Sequence, residues 1–247
     1  MPNETPAKTV KSVESVEIIT ATGRKVFLPL GEEDMQEYVD GQWDYVGFIA
    51  QQVSNSGLYD FAFKGKSNLV FLDLGAHLGM VSIHASDVCD RIVAVEPAPA
   101  TFALLRRVAK HFPKILPKNV AVCGVDDQCI LNINDINSTA NSVANTYGEP
   151  VAVRGVTLPT LIKEAELEHI DFCKMDIEGS ELEALPMETI EALKDTIDCY
   201  FIETHNCPAS TWQHKVGELV KSFLTVGYRI ASINDMGFVA KLPHKQT

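Results

Sequence analysis

Short apolar runs alternate with segments of helical periodicity over most of the chain. The apolar runs are bounded by turn residues and have the length of strands buried on both faces of a sheet. They are NLVFLDLG, RIVAVEP, NVAVCGV, IDFCKMDIEG and DCYFIETH. The predicted helices are Met80–Val88, Ala98–Phe112, Thr157–Glu166, Ser180–Lys194, which Pro186 interrupts, and Thr211–Thr225. This alternation predicts an α/β domain with a parallel sheet and right-handed crossovers.

The last two apolar runs break this alternation. YRIASIND and GFVAKL are joined by a tight turn at Asp235-Met236-Gly237, so these two strands must be antiparallel. We therefore predict a mainly parallel, seven-stranded sheet with an antiparallel hairpin at its C-terminal end. CILNIND is predicted to pair with NVAVCGV. Residues 135–150, rich in Asn, Ser and Thr, are predicted to form a long loop, whose length indicates either a function, such as that of a lid, or disorder.

The first 66 residues follow a different pattern. Residues 1–14 are polar and are expected to be mobile. Two short apolar runs around Ala21-Thr22-Gly23 predict a β-hairpin, and apolar positions from Glu32 to Asn55 predict a helix. We divide the chain into an N-terminal extension, residues 1–66, and a main domain, residues 67–247.

Composition narrows the range of functions. The net charge is −12, whereas a nucleic-acid groove needs a basic face, so we expect no nucleic-acid partner. No apolar run reaches 18 residues and the N-terminus lacks the apolar core of a signal peptide, so we expect a cytoplasmic protein without a membrane partner. The six cysteines include no CxxC pair, which favours buried reduced thiols over a zinc site.

The strongest local motif is Asp73-Leu74-Gly75-Ala76-His77-Leu78-Gly79, between a predicted strand and a predicted helix. Glycines there allow the backbone to approach a ligand beyond the strand ends, and a helix N-terminus suits a carboxylate or phosphate. A dinucleotide loop has the pattern GxGxxG, whereas this loop has GxxxG after an aspartate. Asp73 suits an ammonium group better than a pyrophosphate. S-adenosylmethionine carries both an ammonium group and a carboxylate, so the motif favours it over NAD.

Glu96 follows the second predicted strand, 23 residues after Asp73. An acidic side chain at this place can accept hydrogen bonds from both ribose hydroxyls of an adenosine. NAD-binding proteins share this feature, so Glu96 supports an adenosine ligand without identifying it. Together with the C-terminal hairpin, these motifs predict the Rossmann-like class I methyltransferase fold.

A second set of polar residues lies at the ends of two further predicted strands. Asp176 and Glu178 follow one strand, and Glu203 and His205 follow the next. Because ligands of open α/β sheets bind beyond the carboxyl ends of the strands, these side chains should converge on the cofactor site. A second interpretation stays open for Glu178 and Glu181, in which they only charge the first turn of a helix.

These motifs resemble those of the FkbM family of S-adenosylmethionine-dependent methyltransferases. The similar stretches run in family order from about residue 67 to residue 206: LDLGAHLGMVS, VAVEPAPATFALLRR, TLPTL, IDFCKMDIEGSELEAL and FIETH. This chain has His77 where the family typically has Asn, Pro159 where it often has Asp, and Ser180 where it often has His. The resemblance implies O-methylation of a hydroxyl on a small molecule such as a sugar, a polyketide or another secondary metabolite.

The resemblance also implies roles for individual residues. The glycine loop would hold the methionine part of the cofactor, Glu96 the ribose, and Ala121 with Val122 the adenine. The predicted cofactor-binding residues are Asp73, Gly75, Ala76, His77, Gly79, Ser82, Glu96, Pro97, Ala121 and Val122.

Two mechanisms stay open for the reaction. A neutral hydroxyl has to lose its proton, and the predicted catalytic residues are Asp176, Glu203 and His205, with His205 or Asp176 favoured as the general base. Alternatively, Asp176 and Glu203 bind a divalent metal, Mg²⁺ rather than zinc, that acidifies the hydroxyl. N-methylation, a nicotinamide-dependent oxidoreductase and a non-catalytic S-adenosylmethionine-binding protein are the alternative functions. The N-terminal extension is expected to cover the acceptor pocket or to form a homodimer contact.

Overall fold

The computed structural model describes residues 16–30, 42–55, 57–134, 140–146, 148–234 and 237–243, with side chains described from residue 47 in the second range. Several predictions lie outside the described residues. They concern the polar start of the chain, the first part of the helix predicted from Glu32, residues 135–139 of the predicted loop, and the first two residues of the turn at Asp235-Met236-Gly237.

The described residues form twelve strands, of which seven make up a central sheet. The strands are β1 (Glu17–Ile19), β2 (Lys25–Phe27), β3 (Leu69–Leu74), β4 (Cys89–Val95), β5 (Ile115–Lys118), β6 (Ala121–Val122), β7 (Gln128–Ile133), β8 (Glu149–Val156), β9 (Phe172–Met175), β10 (Cys199–Glu203), β11 (Arg229–Ile233) and β12 (Gly237–Lys241). The central sheet has the order β11-β12-β10-β9-β3-β4-β5. Neighbouring strands from β10 to β5 are parallel, whereas β12 is antiparallel to both β10 and β11. The predicted sheet with its C-terminal hairpin is confirmed.

Helices flank this sheet on both faces. They are α1 (Gln42–Asn55), α2 (Asp60–Phe63), α3 (Met80–Ala85), α4 (Pro99–Ala109), α5 (Leu158–Glu164), α6 (Glu181–Ala184), α7 (Met187–Ala192) and α8 (Trp212–Val226). Side chains of a strand alternate between the faces, so Phe71 of β3 joins the hydrophobic cluster of α3 and α4, while Leu72 joins that of α5 and α8. Within the described part of the chain, we find no helix with the length and apolar character needed to span a membrane.

The prediction of NVAVCGV as a strand of the central sheet is wrong. NVAVCGV is predicted as its third strand, but the edge strand is β5, and only the two residues of β6 within NVAVCGV are extended. β5 carries Pro117 and Lys118, so its sequence has no clear strand pattern. Proline is tolerated there because an edge strand has a neighbour on one side only.

The predicted pairing of CILNIND is also wrong. This segment is β7, and it pairs with β8 in a separate three-stranded sheet of order β6-β8-β7. β8 begins at Glu149, within the predicted loop 135–150. Pro150, Arg154 and Gly155 interrupt its apolar residues, and the strand pattern is therefore weak.

The predicted N-terminal hairpin is present and is attached to the main domain. β1 and β2 pair in antiparallel orientation. Asp87, two residues after α3, accepts hydrogen bonds from Thr20, Thr22 and Arg24 of the hairpin. Apolar side chains of the hairpin and of α1 share one hydrophobic cluster with α3. The hairpin therefore packs against the C-terminal end of α3, where Ala21 also donates a backbone hydrogen bond to the carbonyl oxygen of His84.

Candidate active site

A cavity of about 460 Å³ opens at the carboxyl ends of the central strands. The loops after β3, β4, β9 and β10 line it, together with β6, residues 140–143 and helix α1. Its size lies within the range of about 300–1,000 Å³ that is typical of small-molecule sites. The strand ends that carry the predicted site residues therefore meet at one cavity.

The loop after β3 has a backbone conformation that depends on its residues. The φ angle is +74° at Gly75, +52° at His77 and +82° at Gly79. A Cβ atom at Gly75 would lie 1.7 Å from the carbonyl oxygen of Asp176, so glycine lets the loops after β3 and β9 touch. His77 lines the cavity, and burial lowers the pKa of its imidazole to about 4. This side chain is therefore neutral at pH 7.

Three of the predicted cofactor-binding residues, Asp73, Gly79 and Ser82, do not line the cavity. The Oδ2 atom of Asp73 accepts a 2.7 Å hydrogen bond from Ser82, and its Oδ1 atom lies 3.7 Å from Lys174 Nζ. The side chain of Asp73 is fully buried. Its contact with the ammonium group of a cofactor stays a prediction.

Glu96 lines the cavity at the end of β4 and is almost fully buried. Its carboxylate oxygens accept the backbone N–H groups of His77, at 3.0 Å, and Ala98, at 2.9 Å. Burial raises the pKa of Glu96 to about 7, although both hydrogen bonds act in the opposite direction. Each carboxylate oxygen has a second lone pair, so Glu96 can accept two further hydrogen bonds from a ligand in the cavity.

Lys174 is a functional candidate that the sequence analysis does not identify. It lies in β9, is 4% exposed and lines the cavity. Its Nζ atom donates hydrogen bonds to the carbonyl oxygen of Gly75 and to Asp176 Oδ2, both at 3.1 Å. Burial lowers the pKa of Lys174, but the carboxylates of Asp176 and Asp73 outweigh this effect and hold the pKa above its usual value. A lysine inside an otherwise apolar strand is the sequence signal for such a residue.

Four carboxylates surround the imidazole of His205. Its Nε2 atom lies 3.6 Å from Glu178 and from Glu203 and 3.8 Å from Asp176, and its Nδ1 atom lies 3.3 Å from Glu181. Burial lowers the pKa of His205, but the hydrogen bonds with Glu181 and Glu203 and the charges of the other two carboxylates raise it to about 11. His205 therefore carries a proton at neutral pH. The three predicted catalytic residues lie together, with Glu178 as a fourth cavity residue.

Glu178 has an unusual backbone conformation, with a φ angle of +55°. Ser142 donates a hydrogen bond to its carbonyl oxygen and so connects residues 140–146 to the loop after β9. Burial and repulsion by Asp176 raise the pKa of Glu178 to about 8. Strained backbone persists only where the surrounding structure holds it, which is common at functional sites. The described part of the predicted lid thus contributes to the wall of the cavity.

Most of the predicted site residues line the cavity. They are Gly75, Ala76, His77, Glu96, Pro97, Ala121, Val122, Asp176, Glu203 and His205. The sequence analysis does not identify the lining residues of α1, among them Ile49 and Val53, because their helical spacing indicates core packing equally well. The interpretation of Glu181 as a residue that only charges a helix is wrong, since its side chain is fully buried and contacts His205.

A family comparison identifies the chain. The sequence model of the Methyltransferase FkbM domain matches residues 73–230, which is more than half of the chain. This chain belongs to the FkbM methyltransferase family. The predicted resemblance is confirmed, and the matched range includes every predicted site residue of this FkbM methyltransferase. No curated protein matches it at a significant level.

Solved structures similar to this FkbM methyltransferase are distant in sequence. The FkbM methyltransferase of Methylobacillus flagellatus KT is 15% identical, with a TM-score of 0.49 over 74% of this chain and 46% of that protein. Aeropyrum pernix fibrillarin, solved with S-adenosyl-L-methionine bound, is 14% identical. Its TM-score is 0.44, and the match covers 71% of this chain and 66% of that protein. The precorrin-6y C5,15-methyltransferase of Geobacter metallireducens is 14% identical. Its TM-score is 0.45, and the match covers 74% of this chain and 85% of that protein. The matched part of this chain thus covers less than half of the Methylobacillus protein.

The cluster around His205 in this FkbM methyltransferase also has the composition of a metal site. Asp176, Glu178 and His205 each offer one ligand atom, and these atoms lie within 4.8 Å of one another. A donor set of carboxylate oxygens with one imidazole suits a hard divalent cation such as Mg²⁺ or Mn²⁺. Glu203, predicted as a metal ligand together with Asp176, lies beside this group.

Proposed function

We propose that this chain is an S-adenosylmethionine-dependent O-methyltransferase that acts on a hydroxyl of a small molecule such as a sugar, a polyketide or another secondary metabolite. The observation that supports this most strongly is the joint position of two groups of residues. The glycine loop and Glu96, which suit an adenosyl cofactor, line the same cavity as the carboxylates around His205, which suit proton transfer. We further propose a cytoplasmic location, since none of the six cysteines is in a disulfide.

The residues of the cavity fit S-adenosylmethionine. The two oxygens of Glu96 can accept hydrogen bonds from the two ribose hydroxyls, and the apolar side chains of Ala121 and Val122 offer a surface for the adenine. Lys174, which bonds to the carbonyl oxygen of Gly75, stabilises the backbone that would bind the methionine part. When bound, S-adenosylmethionine supplies a methyl group that its sulfonium has already activated.

Positioning and proton removal are the tasks left to the protein. Holding two reactants in near-attack geometry can lower a barrier by about 7–11 kcal/mol. His205 is protonated in this arrangement and cannot accept a proton, which makes Asp176 the better candidate for the general base. Lys174 holds Asp176 Oδ2, while Asp176 Oδ1 has no hydrogen-bond partner among the described residues. Oδ1 itself is buried, but the Asp176 side chain is about one-quarter exposed and lines the cavity, so we propose that this carboxylate accepts the proton of the acceptor hydroxyl.

A metal-dependent mechanism is the second candidate, and the cluster around His205 favours it. A divalent cation held by Asp176, Glu178 and His205 would displace the proton from His205 and would acidify a hydroxyl bound to it. The two mechanisms differ in their response to chelators. If a base acts alone, EDTA leaves the methyltransferase rate unchanged. If a metal acts, EDTA abolishes the rate and added Mg²⁺ or Mn²⁺ restores it.

Ligand-dependent thermal unfolding is the first experiment. S-adenosylmethionine or S-adenosylhomocysteine at about 100 times its Kd should add about 2.7 kcal/mol to the free energy of unfolding, which raises the Tm of a chain of this size by about 5–10 °C. NAD at the same concentration should leave the Tm unchanged. A rise with NAD alone would favour the oxidoreductase alternative, and no rise with any of these compounds would contradict the proposed cofactor.

Screening of acceptors follows if the cofactor binds. Small hydroxyl compounds and matched amines are incubated with S-adenosylmethionine, and the release of S-adenosylhomocysteine is measured. The proposed function is supported if the wild type methylates hydroxyls and the Asp176→Asn variant does not. Methylation of amines alone would place the protein among N-methyltransferases. Binding without turnover of any acceptor would favour the non-catalytic alternative.

A further inference from the structure

A buried ion pair lies next to the cavity without lining it. The side chains of Glu181, at the start of α6, and Lys215, in α8, are 0% and 1% exposed. Their atoms Oε2 and Nζ are 2.9 Å apart. Neither residue has a role in the mechanism described so far. Burying two charges is costly, and an apolar pair of similar volume often stabilises a protein as well as a buried ion pair does. Packing alone therefore does not explain why charges occupy this place.

Glu181 connects this ion pair to the catalytic cluster. Its Oε1 atom accepts a 2.8 Å hydrogen bond from the backbone N–H of Gly179 and lies 3.3 Å from His205 Nδ1. Lys215 Nζ also donates a hydrogen bond to the carbonyl oxygen of Gly179. The pair thereby joins the loop after β9, the loop after β10 and helix α8. Each polar atom of the Glu181 carboxylate has a partner.

The contact with Glu181 determines which edge of the imidazole faces the cavity. With Nδ1 of His205 directed at Glu181, the opposite atom, Nε2, faces Asp176, Glu178 and Glu203 at 3.6–3.8 Å. A hydrogen bond at one ring nitrogen fixes the orientation of the ring. His205 is about one-quarter exposed, so solvent and the cavity alone would allow other orientations.

We propose that Glu181, held in place by Lys215, is a positioning residue for His205. It keeps the Nδ1–H bond directed away from the cavity, so that Nε2 is presented to the three cavity carboxylates. The inference rests on the proposed function only in giving His205 a role in the reaction. The position of the ring itself can be tested without a methyl acceptor.

The double variant Glu181→Leu/Lys215→Met separates positioning from structural support. Either single substitution leaves one buried charge without its partner and is expected to lower the Tm. The double variant removes both charges and keeps most of the volume, so its Tm should return towards that of the wild type. Lys215→Arg is the matched control, because it retains the positive charge that holds Glu181.

Ring N–H resonances of protein labelled with ¹⁵N-histidine provide the readout. His205→Asn assigns the signal of His205 among the seven histidines. We expect a slowly exchanging Nδ1–H proton of His205 in the wild type and in Lys215→Arg, and its loss in the double variant. A crystal structure of the double variant should show a rotated ring whose Nε2 no longer lies within 4 Å of Asp176, Glu178 and Glu203.

Two results would overturn the proposal. One is an Nδ1–H signal that persists in a folded double variant, and the other is an unchanged His205 ring in its crystal structure. Binding of S-adenosylhomocysteine, measured by calorimetry on the same samples, tests the proposed function separately. Wild type and double variant are expected to bind it within about threefold of each other. Absence of binding in both would contradict the proposed cofactor, but it would not affect the test of the ring orientation of His205.

Discussion

Lys174 donates a hydrogen bond to Asp176, with 3.1 Å between Nζ and Oδ2, at the point where the loops after β3 and β9 meet. The same ammonium group lies 3.7 Å from the buried carboxylate of Asp73. One cation thus compensates two carboxylates and also binds the carbonyl oxygen of Gly75. Removing it should affect both the stability of the fold and the shape of the cofactor loop.

We expect Lys174→Met to lower the free energy of unfolding by about 3–5 kcal/mol at pH 7, since breaking a buried ion pair leaves uncompensated charge. Urea denaturation measures this change. Lys25→Met is the control, because Lys25 pairs with Glu17 on the surface and should change stability by no more than about 0.5 kcal/mol. Similar stabilities of both variants would contradict the assigned role of Lys174.

Binding of S-adenosylhomocysteine should depend on pH through Glu96. Its pKa of about 7 means that the cavity holds a carboxylate above pH 7 and a carboxylic acid below it. Only the carboxylate can accept hydrogen bonds from both ribose hydroxyls, so affinity should fall as the pH is lowered through 7, by up to about tenfold per pH unit. The nearest charges, those of Lys174 and Asp176, shift this midpoint in opposite directions.

Calorimetry from pH 5.5 to pH 8.5 tests this dependence, with Glu96→Gln as the control. The variant cannot titrate at this position and should bind more weakly than the wild type at pH 8.5. Its profile should lack the step near pH 7 and keep only the contribution of Glu178, whose pKa is about 8. A wild-type affinity that is constant over this range, or an equally steep profile in Glu96→Gln, would show that Glu96 does not accept the ribose hydroxyls.

The sequence predicts those elements that depend on residues close together in the chain, and it misses those that depend on residues far apart in the chain. β3 and β4 are apolar runs next to turn residues, and such local signals identify them. β5 and β8 contain Pro117 and Pro150, and their strand conformation depends on neighbours distant in the chain. The meeting of Asp176 with His205 is predictable because the ends of parallel strands share one edge.

The sequence does not predict which of the buried charged residues of the site pair with one another. Glu181 and Lys215 are 34 residues apart, and no spacing rule brings an α8 residue to the start of α6. Lys174 lies in an apolar strand, and its carboxylate partner Asp73 is 101 residues earlier in the chain. Such pairs form only once the tertiary structure excludes water, so the sequence pattern shows the charge but not its partner.

Asp87 should stabilise the attachment of the N-terminal hairpin. Hydrogen bonds from Arg24, Thr20 and Thr22 hold the pKa of Asp87 well below its usual range. Because the pKa is lower in the folded state, this contribution is present above the unfolded pKa of about 3.9 and is lost as the pH falls below it. We expect Asp87→Asn to lower the free energy of unfolding by about 1–2 kcal/mol at pH 7, a modest value because Arg24 is more than half exposed.

Urea denaturation at pH 7 and at pH 3 checks both the size and the sign of this effect. The difference between wild type and Asp87→Asn should narrow at pH 3, because the unfolded chain takes up a proton at Asp87 there while the folded protein still holds this carboxylate ionised. Glu17→Gln, in an exposed pair on the same hairpin, should be close to neutral at both pH values. A difference that is equal or larger at pH 3 would contradict the role of the charge.

Gly75 and Gly217 should respond in opposite ways to the same substitution. At Gly75 a Cβ atom would lie 1.7 Å from the carbonyl oxygen of Asp176, and the φ angle of +74° disfavours any side chain. Gly75→Ala should therefore cost more than about 2 kcal/mol of unfolding free energy and should weaken binding of S-adenosylhomocysteine, because either the loop after β3 or the loop after β9 has to move.

Gly217 lies within α8, where a Cβ atom would have nothing within 4 Å. Gly217→Ala should therefore stabilise the protein by about 0.5–1 kcal/mol, since alanine loses less conformational entropy than glycine in a helix, and should leave ligand binding unchanged. Thermal unfolding and calorimetry on both variants measure these quantities. If Gly75→Ala bound the ligand as tightly as Gly217→Ala, the close contact between the two loops would have no part in forming the cofactor site.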